Sequence, residues 1–92
     1  MDLVELHDAS SFAEIHLVED LGFCGRGEGG PFTLSGATGR DGTIPVNPSG
    51  GLVSRGHPIG ATGLMMLNEI CVQLRGEAGI NQIGSPRYGL AE

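Results

Sequence analysis

Ninety-two residues allow one small domain at most, spanning 1–92, with a modest core. Five arginines, no lysine and eleven acidic side chains give a net charge of −6, which argues against a nucleic-acid partner, for which a basic patch is required. No apolar run reaches membrane-spanning length, no signal-peptide pattern opens the chain, and two cysteines make no disulfide framework; a reduced, cytoplasmic protein is expected.

Asp2 to Leu6 alternates apolar and acidic residues and predicts a short strand with one wetter face. Ser10 or Ser11 can cap a helix that runs to about Leu21, with Glu14 placed three residues after Ser11 as in a capping box. Phe12, Ile15, Leu17 and Leu21 supply its apolar positions, His16 reads as a surface residue, and Gly22 is the expected stop. Eight of the seventeen glycines fall between Gly22 and Gly42, so the stretch from Gly25 reads as a long ordered loop. Asp41-Gly42 is a hairpin-type turn signal, Thr43 to Val46 a short strand, and Asn47 to Gly51 turn chemistry throughout. A second helix is expected from about Gly60 to Arg75, with a core-facing stripe of Leu64, Leu67, Cys71 and Leu74 widened by Ile70, and Gly76 as its stop. Gly84, Pro86 and Gly89 interrupt the last stretch, where a strand begins near Tyr88. The order strand, helix, loop, strand, helix, strand is an α/β pattern.

The segment Gly51 to Gly63, Gly-Leu-Val-Ser-Arg-Gly-His-Pro-Ile-Gly-Ala-Thr-Gly, carries most of the chemistry. His57 sits in a glycine-bracketed turn, and Pro58 fixes the backbone beside it. Small residues beyond, beginning with Gly60, let a second backbone or a slim ligand come close. A titratable ring near the start of a helix, where free N–H groups favour developing negative charge, is an arrangement suited to catalysis.

This stretch resembles the histidine signature of the thiolase superfamily. Val4-Glu5-Leu6-His7-Asp8-Ala9 is similar to the strand-to-helix junction where many thiolases carry Asn-Glu-Ala-Phe, in the His-Asp form of the sterol-carrier-protein-type branch. Leu21 to Gly30 and Pro45 to Gly51 resemble two further blocks in the family's order. Ser10 stands where the motif has phenylalanine, and Phe12 is a candidate to supply that bulk. The resemblance implies a partial thiolase-like C-terminal half, a mixed β-sheet packed with helices and glycine-rich loops. It also implies that the nucleophile-bearing half and the last strand hairpin fall outside these residues.

The implied reaction is acyl transfer from a coenzyme A thioester to cysteine, then Claisen condensation or its reverse. Coenzyme A enters as substrate, and no bound cofactor or metal is expected. His57 is expected to help activate the nucleophile and to donate to the thioester oxygen, a contribution of order ~3 kcal/mol. His7 is expected to hold a water in the same oxyanion hole, since a neutral imidazole donates through one nitrogen and accepts through the other. Asn47, Ser49, Gly50, Gly56, Pro58 and Gly60 are the expected substrate-binding positions, the first three also shaping the turn. Ser54 and Arg55 are placed to meet coenzyme A or solvent. Cys71 reads as a small core hydrophobe and Cys24 as a loop thiol without a base, although Arg26 is near enough in sequence to lower its pKa. The expected partners are the acyl-coenzyme A substrate and either a second copy or a complementary thiolase N-terminal half. The isolated chain is expected to be inactive; the alternatives are a non-catalytic interaction module and part of a thiolase-like retro-aldolase.

Overall fold

A computed structural model describes residues 1–92. The elements in chain order are β1 (Leu3–Glu5), α1 (Ser11–Asp20), α2 (Gly29–Leu34), α3 (Gly51–Arg55), α4 (Thr62–Leu74), a 3-10 turn (Gly79–Asn81) and β2 (Gly89–Ala91). The α/β class follows from how these pack. β1 and β2 pair in parallel, with Leu3 opposite Gly89, Val4 opposite Leu90 and Glu5 opposite Ala91. On the other side of β1, Val4 forms a parallel bridge with Val46, closed by Val4 N–H to Pro45 O at 2.9 Å and Asn47 N–H to Val4 O at 2.7 Å.

β1 is therefore central, and it has no wet face: Leu3, Val4, Glu5 and Leu6 are all buried. Alternation fails here because parallel strands are covered on both sides. The expected strand Thr43–Val46 shrinks to the single Val46 bridge, and no hairpin forms at Asp41-Gly42, because the segment that follows pairs in parallel with β1.

α1 begins one residue earlier than a Ser11 cap requires. Ser10 is the N-cap, its hydroxyl accepting from Ala13 N–H at 3.2 Å, so the capping box with Glu14 does not form. The helix buries Val18 and packs Leu17 and Leu21 on a cluster of Val4, Leu6 and Ile44, while Phe12 is exposed and stacks on His16 instead of filling the junction. Gly22 ends it as expected: Gly22 N–H bonds Glu19 O and Phe23 N–H bonds Val18 O, a paired closure that requires the positive φ of 80°.

Inside the expected loop lies α2. It escapes periodicity because it is six residues long and opens Gly-Gly-Pro. Its entry is held from outside: the Glu19 carboxylate accepts from Gly27 N–H at 2.9 Å and Gly29 N–H at 3.0 Å, while Phe32 packs on the core.

The largest departure concerns α4. Its buried residues are Thr62, Met66, Ile70 and Gln73. Of the expected core stripe Ile70 is buried and Cys71 half-buried, but the leucines face outward, with Leu64 71% and Leu67 52% exposed against 1% for Met66. The helix is apolar on most of its circumference, so its core-facing side is decided by β1 and β2, against which it packs. No helix is long and apolar enough to cross a membrane.

Candidate active site

Two carboxylates and one backbone amide, at and just after the end of β1, grip the segment after Val46. The buried Glu5 carboxylate accepts from Ser49 N–H at 3.1 Å and from the Ser49 hydroxyl at 2.8 Å. Leu6 N–H donates to Asn47 Oδ1 at 2.6 Å, and Asn47 sits at a positive φ of 50°. The Asp8 carboxylate accepts from Leu52 N–H at 2.7 Å, capping α3 from across the chain. Gly51 can only be glycine here: its φ is 69°, and a Cβ would overlap the Asp8 carboxylate. These bonds span more than forty residues and fix where the histidine loop starts.

The expected turn at Asn47–Gly51 forms, with Gly50 N–H bonding Asn47 O at 2.9 Å, and leads into α3, which ends at Gly56, whose φ of 92° reverses the chain into His57. Gly60, at φ 85°, lies in a turn before α4 instead of in its first turn, and Thr62 opens the helix. The result brings His57 onto His7. Their ring centroids are 4.6 Å apart and the planes stand at 88°, edge to face. His57 Nδ1 lies 2.7 Å from Thr62 Oγ1, and the Thr62 hydroxyl is 3.1 Å from Pro58 O. His57 is exposed and His7 half-buried.

The remaining expected positions divide. Gly56, Pro58 and Gly60 surround His57 in the loop, while Asn47 and Ser49 spend their side chains on Leu6 and Glu5 and hold the frame. Gly50, at φ 101°, is the N-cap of α3. Arg55 is neither free in solvent nor aimed outward: its side chain is 17% exposed and its Nη2 lies 3.7 Å from Glu5 Oε2, beyond hydrogen-bond length. Sequence reasoning missed Thr62 and Asp8 as partners. A Thr five residues after the histidine was the available signal, legible only once the Pro58–Gly60 turn is known.

Burial pushes the Glu5 carboxyl above its ordinary pKa, opposed by the Ser49 hydrogen bonds and by Arg55. Glu14 is raised too, by burial and then by the Asp8 charge. The Cys24 thiol is likewise pushed up, by burial and then by Glu19 and Glu28, so Arg26 does not activate it. Cys24 packs against the core, and Cys71 lies nine residues beyond Thr62 on α4, about 13 Å along the axis. Neither thiol neighbours the histidine pair. No group of three His, Cys, Asp or Glu side chains is arranged to hold a metal. His7 lines an open cavity of about 370 Å³ with Ala13, His16, Leu17 and Glu92, whereas no cavity encloses His57. The pair lies on a surface.

The family model for thiolase C-terminal domain-like proteins matches residues 1–92. The chain belongs to that family. It is 54% identical over 90 residues to an acetyl-CoA acetyltransferase of Methanothermobacter thermautotrophicus, covering 98% of this chain and 24% of the relative. It is 47% identical over 90 residues to sterol carrier protein 2 of Rattus norvegicus, covering 98% and 16%. A benzoylsuccinyl-CoA thiolase subunit of Thauera aromatica is 42% identical over 77 residues, covering 84% and 20%. This thiolase-like chain thus spans a quarter or less of the length of these curated relatives, and the sterol-carrier-protein branch is among them.

Proposed function

We propose that the chain supplies the histidine side of a thiolase-type acyltransferase site acting on a coenzyme A thioester. A cysteine from a complementary N-terminal half would complete the site. The observation that carries this reading is the meeting of His7 and His57 at 4.6 Å from segments fifty residues apart. The relatives named for acetyl-CoA acetyltransferase and thiolase support it. In the reaction, thiolate sulfur bonds the carbonyl carbon as the carbonyl π pair moves to oxygen; that pair then re-forms the carbonyl as the bond to the coenzyme A sulfur breaks, and coenzyme A leaves as its thiolate. His57 faces that oxygen through Nε2, since Nδ1 is engaged by Thr62. His7 beside it holds a water against the same oxygen. Fixed donors of this kind are worth about 3 kcal/mol each where charge develops. The two free cysteines fit a reducing, cytoplasmic setting.

The outward apolar side of α4, Leu64, Leu67 and Leu74, is the surface against which the complementary half would pack, closing the open side of the histidine pair. The same surface favours a second reading, an interaction module without catalysis. Co-expression with a nucleophile-bearing thiolase half separates them. Coenzyme A-dependent cleavage of a 3-ketoacyl thioester is expected only when both are present, and His57→Ala should lower kcat by about 10²–10³. A complex that forms but neither cleaves the thioester nor performs retro-aldol cleavage would overturn the catalytic reading and leave the module. Retro-aldol cleavage alone would reassign the reaction.

A further inference from the structure

Arg55 carries a guanidinium that is largely enclosed and wholly without hydrogen bonds. Its side chain is 17% exposed, and Nε and Nη2 are buried with no acceptor. The nearest carboxylate, Glu5, stands 3.7 Å from Nη2, and both Glu5 oxygens accept from Ser49 instead. A buried donor left unpaired costs stability, more so on a charged group, and native proteins keep few of them. Arg55 also lines an open cavity of about 450 Å³ between α3 and α4, with Leu64, Met65 and Glu69 on its wall. Nε and Nη2 are enclosed, so Nη1 is the nitrogen that an acceptor entering this cavity can reach. While the cavity is open, water serves Nη1. Leu64 belongs to the exposed apolar side of α4, and covering that side expels the water. An oxygen must take its place, or the covered complex holds a desolvated cation with nothing bonded to it.

We propose that Arg55 is the polar anchor of the surface that meets the complementary half, its Nη1 donating to an uncharged oxygen, a backbone carbonyl or a side-chain amide, that the partner inserts into the cavity between α3 and α4. The proposal rests on the docking reading above and adds the chemistry of the contact. Charge decides the kind of oxygen. One guanidinium already shares this region with two carboxylates, Glu5 beneath it and Glu69 on the cavity wall. A third carboxylate would meet more repulsion than attraction, whereas a carbonyl oxygen accepts from Nη1 without adding charge. Leu64 and Met65 surround the contact with apolar side chains, the setting in which an interfacial arginine contributes most. Arg55 closes α3 two residues before His57, so the same contact ties the start of the histidine turn to the partner.

The test titrates the 92-residue chain with a separately produced, nucleophile-bearing thiolase half. Arg55→Met keeps a stem of similar bulk and removes the donors. It should raise Kd by about 10- to 100-fold, as loss of one hydrogen bond to a charged group does. The change should lie in the dissociation rate, because an uncharged acceptor does not steer association. A loss confined to the association rate at low salt marks a carboxylate partner and overturns the proposal. In ¹⁵N-labelled wild type, rotation about the Arg55 Cζ–Nη bonds should slow when the complex forms. Unchanged rotation in the complex overturns the proposal, as does an Arg55→Met chain that binds as tightly as wild type or a wild-type chain that forms no complex. If amide signals of β1 and β2 show that Arg55→Met does not fold, the wild-type rotation decides. A complex that depends on Arg55 but cleaves no thioester leaves this inference standing and counts against the acyltransfer reading. A complex that cleaves the thioester and binds equally well with Arg55→Met does the reverse.

Discussion

Gly51 concentrates the constraints that build the site. It combines a φ of 69° with an Asp8 carboxylate pressed against its α-carbon. Gly51→Ala should therefore cost at least about 2 kcal/mol, read from the shift in a urea unfolding midpoint, because a left-handed non-glycine residue alone costs of order 1–3 kcal/mol. The buried carboxyls make a different statement. Glu5 is raised above the ordinary glutamate value of 4.5, so the folded chain binds its proton more readily than the unfolded chain does. Its contribution to stability is therefore lost as pH rises from 4.5 through the raised value. Glu19 is lowered by the Gly27 and Gly29 hydrogen bonds, so its contribution is present above 4.5 and lost as pH falls through the lowered value. Unfolding midpoints across pH should show Glu5→Gln flattening the first slope and Glu19→Gln the second; equal effects of both on one slope would refute the assignment. At this scale the motifs picked out His7 and His57, and the fold brings their rings to 4.6 Å. Thr62 and Asp8 were not legible. Their roles depend on which backbone atoms come within 3 Å, and the sequence distance from Asp8 to Leu52 hides that.

Helix α4 shows how an element can be found and yet be turned the wrong way. Its existence and its glycine stop were readable, and Gly76 N–H bonds Gln73 O while Glu77 N–H bonds Val72 O. Its buried side was not, because Leu64, Met65, Met66, Leu67, Ile70, Cys71, Val72 and Leu74 surround most of the axis. A stripe carries orientation only when the opposite face is polar. The structure predicts a sharp contrast. Met66→Ala and Ile70→Ala should each destabilise by about 2–5 kcal/mol through lost burial and a residual cavity. Leu64→Ala and Leu67→Ala should stay within about 0.5 kcal/mol in the isolated chain. Thermal melts of the four variants check this, and equal losses would restore the leucine stripe to the core. α2 and α3 illustrate the opposite failure. Five or six residues rich in glycine carry no period, and both helices are held by distant carboxylates, Glu19 at Gly27 and Gly29 and Asp8 at Leu52.

For the molecule as a whole, the sheet is one parallel pair and a bridge, with β2 at its outer edge and the apolar side of α4 uncovered. Under the proposed function Leu64 and Leu67 form the surface that meets the complementary half. Leu64→Glu with Leu67→Glu should leave the melting temperature of the chain alone within a few degrees but prevent its co-purification with a nucleophile-bearing thiolase half. Retained co-purification would place the docking surface elsewhere. The amino-acid sequence by itself determined the α/β class, the two long helices with their glycine stops, the strand at each end and the family to which the chain belongs. These rest on local propensity, punctuation and motif identity, which need no knowledge of distant neighbours. Only the tertiary structure decided which side of α4 is core, that β1 is covered on both faces, and that two imidazoles fifty residues apart meet beside Thr62. Those outcomes depend on packing and hydrogen bonds between segments remote in the chain, for which sequence spacing carries no signal.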